Sequence, residues 1–263
     1  MIVELVDRSL LKISGQDAST FLQGQLTNDV SKIDPSSIQV NAFCQHQGKI
    51  IALIWLWKNE DTYYISLPID IKDKFVVNIL KYKFFSEIEV EDISNKIKQF
   101  GLIGIQMDGA YKITNKLSYL AENISIQADS SLEVWNDACV NEIIPEVFSL
   151  TSELFTPQVI NLDIDNFGVS FTKGCYPGQE VVARMNYLGV AKRRLFKFKS
   201  KHFLSVGDKI YSPNSKSKKS SGIVVRVSKN KDWINFLATF EISHLNDQIF
   251  LDNTMEKEVF YIK

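Results

Sequence analysis

The sequence predicts an α+β protein that ends in a small all-β module. Two observations carry this prediction. Up to about residue 188, short apolar runs with strand-like alternation are interleaved with segments that repeat with helical spacing. From residue 195 onward, only short strand-like runs separated by polar turns follow one another. We therefore predict a domain boundary at Arg194, between domains 1–194 and 195–263.

The first domain alternates between predicted strands and helices. A short helix is predicted over 17–23, with Gly24 as its end. A second helix is predicted over 70–82, because Phe75 and Ile79 recur at helical spacing. Further strands are predicted at 10–13, 40–43, 50–57, 61–67, 86–91 and 100–107, and further helices at 134–141 and 179–185.

The second domain contains most of a strongly basic segment, which begins at the end of the first domain. Residues 192–231 hold 13 Lys and Arg against one acidic residue, Asp208, whereas the whole chain carries a net charge of −1. A face of solvated lysines explains such a segment, and so does a surface for an anion such as RNA or a phosphorylated ligand. The sequence leaves both readings open. The strands predicted here are 195–199, 208–211, 222–227, 233–240 and 259–262.

Composition and cysteine usage indicate a cytoplasmic protein. Hydrophobic residues make up 45% of the chain and charged residues 23%, as is typical of globular proteins. No apolar run approaches the roughly 18–20 residues that cross a bilayer, and the N-terminus lacks the blocks of a secretory signal. The three cysteines, Cys44, Cys139 and Cys175, are too widely spaced for a disulfide framework, so we expect a reducing cytoplasm and no metal site.

The most informative stretch of the sequence surrounds Cys175. Tyr-Pro-Gly-Gln at 176–179 predicts a type II turn, with proline fixing one central φ and glycine permitting a positive φ at the next residue. A helix follows, in which Glu180 and Arg184 are spaced to pair. The helix dipole and the charge of Lys173 both favour the reactive thiolate of the cysteine. From this pattern alone, a buried structural cysteine is an equal alternative.

The segment 173–180, Lys-Gly-Cys-Tyr-Pro-Gly-Gln-Glu, resembles the signature K-G-C-Y-x-G-Q-E of the YgfZ family. A motif of eight positions with one free position is very specific. Residues 21–30 and 48–50 are similar to further blocks of that family, as are 156–158 and 161–162. The resemblance implies the fold of the glycine-cleavage T-protein, with two α+β subdomains around a central folate channel and a C-terminal β-barrel.

The resemblance also implies a function. YgfZ-type proteins are expected to bind tetrahydrofolate or a derivative and to support the assembly or repair of iron–sulfur proteins, including enzymes that thiolate tRNA. Cys175 and Lys173 are the candidate functional pair. Trp135 matches a tryptophan that stacks on the folate, and a tryptophan buried in the core is the alternative. Asn28 and Asn141 are further candidate contacts. The other candidate residues of the motif are Gly174, Tyr176, Gly178, Gln179, Glu180 and Arg184.

The resemblance further implies the partners. They are iron–sulfur enzymes or their assembly factors, with tRNA as a possible partner of the basic segment 192–231. We expect the chain to act as a monomer, away from membranes.

The chain departs from T-protein relatives at positions that bear on catalysis. Ala52 and Leu53 stand where those relatives hold an acidic pair, and an amine-bearing substrate needs a carboxylate for charge balance and proton handling. Asn141 replaces a family glutamate, and Arg8 or Ser9 stands in the region of an N-terminal folate tryptophan. The prediction is therefore a folate-binding protein, with a folate-dependent aminomethyl transferase as the alternative and an RNA-binding adaptor as a second alternative. Whether the chain is an enzyme is left open.

Overall fold

The structure is a computed structural model that describes residues 1–123, 126–189, 191–217, 220–229 and 232–263. Within these residues the chain forms four α-helices and fifteen strands, which confirms the α+β class. The helices are α1 (Ala18–Gln25), α2 (Lys72–Leu80), α3 (Leu132–Asn141) and α4 (Gln179–Leu188). The strands are β1 (Ile2–Glu4), β2 (Arg8–Ser14), β3 (Gln39–Cys44), β4 (Ile50–Asn59), β5 (Thr62–Pro68), β6 (Glu89–Asp92), β7 (Lys98–Ile103), β8 (Tyr111–Lys112), β9 (Leu117–Glu122), β10 (Arg193–Ser200), β11 (Lys209–Ile210), β12 (Gly222–Lys229), β13 (Ile234–Glu241), β14 (Ile249–Phe250) and β15 (Glu258–Ile262).

The first sheet has five antiparallel strands in the order β3-β4-β5-β2-β6. Its strand β4 is a nearly continuous apolar run because both of its faces are covered. On one face, Ile54 packs with residues of α1 and α2, and the rings of Phe43 and Phe75 meet edge to face at 5.5 Å. On the other face, Trp55 belongs to the central core that all three sheets share.

The second sheet has four antiparallel strands in the order β1-β7-β9-β8. Strands β1, β8 and β9 were not predicted from the sequence. The three-residue strand β1 is set by its distant partner, since Ile2 pairs with Leu102. Helix α3 covers this sheet at Gly101, where a Cβ would lie only 2.4 Å from Cε3 of Trp135. A glycine is therefore required for the indole to lie flat against the strand.

The third sheet has six antiparallel strands in the order β11-β12-β13-β10-β15-β14. Tyr211, which follows edge strand β11, and Phe250 of edge strand β14 exchange backbone hydrogen bonds of 2.8 and 2.9 Å. This bridge nearly closes the sheet into a barrel. Phe198, Phe236 and Phe240 fill the interior. The β-barrel that the resemblance implied is confirmed.

Several element ends differ from the prediction. Helix α1 continues through Gly24, because the backbone becomes extended only at Leu26. The strand predicted over 86–91 begins at Glu89, since Ser86 N first closes a turn by donating to Lys83 O at 2.7 Å. The strand predicted over 100–107 ends at residue 103.

The domain boundary at Arg194 stays a prediction. Strand β10 begins one residue earlier, and Leu195, Val225 and Leu237 of the barrel pack into the central core of the first two sheets. Among the described residues, no helix is both long and apolar enough to span a lipid bilayer.

Candidate functional site

The signature segment forms the type II turn that its sequence predicts. Gln179 N donates to Tyr176 O at 3.1 Å, and Gly178 lies at φ +83° and ψ 1°. Tyr176 is buried beneath the turn, and this burial raises the pKa of its phenol. Helix α4 begins directly after the turn. Proline and glycine thus fix the backbone that follows Cys175.

The signature turn packs against a second turn that also contains a glycine. Gly48, at φ +73°, closes the β3–β4 connection by donating its N–H to Gln45 O at 2.8 Å. A Cβ on Gly178 would lie 2.5 Å from that same carbonyl oxygen and 2.7 Å from Gly48 Cα. The two backbones therefore approach each other as closely as only glycines allow.

Gly178→Ala is expected to lower the free energy of unfolding by about 3 kcal/mol, because it combines a left-handed φ with a backbone clash. Gly174→Ala is the matched control within the same motif. At Gly174 the φ is not left-handed, and no heavy atom lies within 4 Å of an added Cβ. Urea unfolding of both purified variants should show a loss only for Gly178→Ala. Equal losses would contradict the proposed docking of the two turns.

Lys173 anchors the other side of the signature segment. Its side chain reaches the C-terminal end of α1, where Nζ donates to Gln23 O at 2.6 Å, Leu26 O at 2.5 Å and Asn28 O at 3.0 Å. The last carbonyls of a helix lack partners within the helix, and the ammonium supplies them. Burial lowers the pKa of Lys173 to about 8, against the opposing charge of Asp29. The ammonium is thus engaged with these carbonyls, and its predicted effect on Cys175 stays a prediction.

Cys175 is the exposed cysteine of the chain, while Cys44 and Cys139 are buried. Burial raises the pKa of the Cys44 thiol, and it raises the pKa of the Cys139 thiol to about 11. The buried thiols are therefore inert at neutral pH. The structure decides the alternative that the sequence left open, since Cys175 is not a buried structural cysteine.

Helix α4 turns its polar residues outward. Glu180 and Arg184 are both exposed, and they do not lie within 4 Å of each other as an ion pair. The predicted pairing was wrong, because two solvated side chains gain little from holding one geometry. The buried side of the helix is held at Val182, whose carbonyl accepts from Gln158 Nε2 at 2.6 Å.

The three residues predicted to contact folate lie in different parts of the structure. Trp135 is 2% exposed, and its ring meets that of Trp55 edge to face at 6.3 Å. The Asn28 amide donates to the backbone of β3 at 3.3 Å. Asn141 is exposed at the end of α3, where it accepts from Lys197. Among the described residues, no hydrogen bond or ring contact joins these three side chains, and their contact with folate stays a prediction.

Ala52 and Leu53 are core residues of strand β4. Ala52 belongs to the cluster beneath α1 and α2, and Leu53 to the central core. Neither position offers a carboxylate, and an acid at either one would be a buried charge without a partner.

A buried ionic cluster links the barrel to the first sheet. Glu146, 1% exposed, accepts from Arg8 Nη1 at 2.5 Å and from Arg226 Nη2 at 3.3 Å. Arg8 belongs to β2 and Arg226 to β12. The Arg8 guanidinium also lies 3.8 Å above the Trp55 ring, and its Nε donates to Ser66 Oγ at 2.8 Å.

The second sheet joins the same cluster through Gln99 and Tyr119. Gln99 Oε1 accepts from Ser66 Oγ at 2.6 Å and from Tyr119 Oη at 2.9 Å, while its Nε2 donates to Arg8 O at 2.9 Å. Sequence reasoning missed this cluster because Glu146 lies in no motif. The signal in the sequence was Arg8, which stands in the region where the family has a tryptophan that contacts folate.

Comparisons with known proteins agree with the motif. The chain is 30% identical over 229 residues to the tRNA-modifying protein YgfZ of Colwellia psychrerythraea, covering 74% of this chain and 70% of that protein. It is 26% identical over 259 residues to the tRNA-modifying protein YgfZ of Aliivibrio fischeri, covering 88% and 77%. An uncharacterized protein of Haemophilus influenzae is 29% identical over 208 residues, covering 75% and 72%. No family model matches the chain.

The fold resembles that of the glycine cleavage system aminomethyltransferase T from Bartonella henselae, with a TM-score of 0.70 over 99% of this chain and 84% of that one, at 10% sequence identity. The architecture therefore defines a protein with the T-protein fold. Within that class, the signature turn and the similarity to the Colwellia protein specify the family. The chain belongs to the YgfZ family of tRNA-modifying proteins.

Proposed function

We propose that the chain binds tetrahydrofolate or a derivative and supports the assembly or repair of iron–sulfur proteins, including enzymes that thiolate tRNA, through the thiol of Cys175. The observation that most supports this proposal is the exposure of Cys175 on a turn that is held from two sides. Lys173 hydrogen-bonds to the C-terminal end of α1, and Gly178 packs closely against Gly48. The thiol thus has a fixed position and an open approach.

The chemistry follows from the single accessible thiol. A thiolate is both a nucleophile and a soft ligand for iron. Clusters commonly take four protein ligands, so Cys175 would supply one of them. The iron–sulfur centre is then a substrate or cargo, and its other ligands come from the client enzyme or an assembly factor. Such a role requires that the cysteine is accessible. It does not require that this chain supplies all the ligands of the cluster.

Cys175→Ser is expected to leave the free energy of unfolding unchanged, because the side chain is exposed, and to abolish rescue of iron–sulfur enzyme activity in a deletion strain. Cys139→Ala, at a buried thiol, is the control that should keep rescue. Alkylation of the native protein should modify Cys175 first and the buried cysteines only after unfolding. Full rescue by Cys175→Ser, or alkylation of Cys175 only on unfolding, would show that the thiol has no role.

Two buried donors near Trp135 support the proposal of folate binding. Trp55 Nε1 and Arg226 Nε are buried N–H donors without an acceptor among the described residues, and both side chains belong to the ionic cluster beside that tryptophan. A folate carries carbonyl and carboxylate acceptors that would satisfy such donors. When bound, it would supply a carrier of one-carbon units. Trp135, Trp55 and Arg226 would hold it, with Asn28 and Asn141 as the further contacts that the resemblance predicts.

Tetrahydrofolate is expected to quench tryptophan fluorescence in a saturable manner, because Trp55 and Trp135 are neighbours at the proposed site. Trp135→Phe should reduce the quenching and weaken the affinity; phenylalanine avoids the large cavity that alanine would leave. Trp233→Phe, in the barrel, is the control that should keep both. Absence of saturable quenching and of heat in calorimetry at millimolar ligand would refute folate binding.

The basic segment 192–231 is proposed to contact tRNA. Five of its residues, Lys192, Arg193, Asn214, Lys216 and Ser217, line a groove of about 780 Å³ together with Ala191 and residues 241–244. Clustered lysines and arginines bind the phosphate backbone by releasing counterions, which makes the affinity depend steeply on salt. Lys218 and Lys219, which the sequence analysis grouped with this surface, lie outside the described residues. The cationic side chains on the groove wall are Lys192, Arg193, Lys216 and His244 when protonated.

A further inference from the structure

One end of the barrel carries exposed aromatic rings among lysines. Strand β10 and strand β12 end there, and β13 begins there, since Ser200 and Lys229 both pair with Ile234. The chain just beyond β10 carries Phe203, which is 71% exposed. The residue just before β13 is Trp233. The pairing register of these three strands therefore brings their terminal residues together at one end of the barrel.

Lysine ammonium groups lie over these rings. Lys199 Nζ is 4.6 Å and Lys201 Nζ is 5.1 Å from the centre of the Trp233 ring. Lys229 Nζ is 5.0 Å from the centre of the Phe203 ring. Phe260, which pairs with Lys199 across β15, meets Trp233 edge to face at 5.7 Å. Trp233 thus has two lysine ammonium groups over it and Phe203 has one, and these residues with Phe260 form a patch at this end of the barrel.

The patch carries both cations and carboxylates. The described residues of 199–203 and 229–233 include three lysines, Lys199, Lys201 and Lys229, against one acid, Asp232. Two further carboxylates border it. Glu258 is exposed on β15, and the Glu133 carboxylate accepts from the backbone N–H of Lys229. Three lysines thus stand against three carboxylates, and the positive charge is local to the rings, over which the three ammonium groups lie.

We propose that this patch is a stacking platform for unpaired bases of RNA. Every base has a flat face that stacks on an aromatic ring, and proteins that bind single strands combine such rings with cations for the backbone. Phe203 and Trp233 would receive bases, while Lys199, Lys201 and Lys229 would meet the flanking phosphates. The inference deepens the proposed contact of segment 192–231 with tRNA, and it names unpaired nucleotides as the part that is bound.

The lysine ammonium groups over the rings favour RNA over a lipid surface. A membrane anchor concentrates its apolar side chains and lets them protrude together. Here Trp233 is half-buried on the sheet, and lysines lie over its ring. Aromatic rings with lysines beside them match flat bases separated by phosphates, which is the chemistry of a single strand.

The test compares the binding of RNA with the binding of a ribose-phosphate backbone that lacks bases. Fluorescence anisotropy would follow the full chain binding a labelled RNA of about 12 unpaired nucleotides, and an abasic ribose-phosphate chain of equal length. Phe203→Ala is expected to weaken RNA binding at least about fivefold and to leave abasic binding unchanged. Lys201→Gln should weaken both and lower the salt slope. Phe85→Ala, at a ring that is 99% exposed outside the barrel, is the control that should change neither.

The outcomes distinguish the stacking platform from the wider contact of segment 192–231 with tRNA. If RNA binds and Lys216→Glu weakens it, but Phe203→Ala does not, the platform is refuted and the basic contact stands. If the wild-type chain binds no RNA, both are refuted. Tighter binding to vesicles with anionic lipid than to RNA, dependent on Phe203, would overturn the assignment in favour of a membrane. If Phe203→Ala weakens binding to RNA that carries bases but not binding to the abasic chain, the platform is supported.

Discussion

Glu146→Gln is expected to lower the free energy of unfolding by about 3–5 kcal/mol, because it leaves two arginines buried without their anion. Glu146 is the shared acceptor of Arg8 and Arg226, and the described residues provide no second carboxylate to either guanidinium. A glutamine keeps the shape of the side chain and removes its charge. Chemical denaturation followed by far-ultraviolet circular dichroism would measure the loss.

The control for this prediction is Glu91→Gln. Glu91 forms an ion pair with Lys96 at the surface, and exposed pairs contribute about 0–1 kcal/mol. A loss of less than about 1 kcal/mol for Glu146→Gln would mean that the cluster does not hold the sheets together. In that case both arginines would have to find water or another partner in the folded state.

The location of this cluster explains why its removal should affect the whole chain. Arg8 comes from the first sheet, Gln99 and Tyr119 from the second, and Arg226 from the barrel. Hydrogen bonds between buried polar groups of different sheets require one relative placement of those sheets. The unpaired N–H groups of Trp55 and Arg226 lie in the same region, so a ligand that accepts from them would also stabilise this placement.

The parts of the site that depend on neighbours in sequence could be predicted from the sequence. Proline followed by glycine determines the turn at 176–179 locally, and the turn is present with the expected φ at Gly178. Helical periodicity likewise predicted α2 within two residues at each end. Both signals act within a few residues of the chain, where a single sequence carries the information.

The parts that depend on distant partners could not be predicted. The carbonyls that Lys173 reaches begin 150 residues earlier, and Glu146 lies 138 residues from Arg8. No local pattern reports such pairings. The strand β1 was missed for the same reason, because three residues become a strand only through β7. Conversely, the Glu180–Arg184 pairing was predicted from spacing alone, but solvent competes for both charges.

Lys173→Met is expected to lower the free energy of unfolding by about 2–3 kcal/mol, because it leaves carbonyls at the end of α1 without their donor. Methionine keeps the length of the side chain and removes the ammonium. The loss should be accompanied by faster amide hydrogen exchange in residues 23–28 and 173–179, which the lysine ties together. Lys116→Met, at an exposed surface pair, is the control that should change neither quantity.

The titration of Lys173 gives this prediction a second readout. Lys173 is 8% exposed, and burial lowers its pKa from 10.5 to about 8. Between these two values the unfolded chain binds more protons than the folded chain, so the contribution of this group to stability rises with pH. The difference in unfolding free energy between the wild type and Lys173→Met should therefore grow as the pH increases from about 8 toward 10. A difference that is flat across this window, together with unchanged hydrogen exchange in both segments, would show that Lys173 does not fix the turn that presents Cys175.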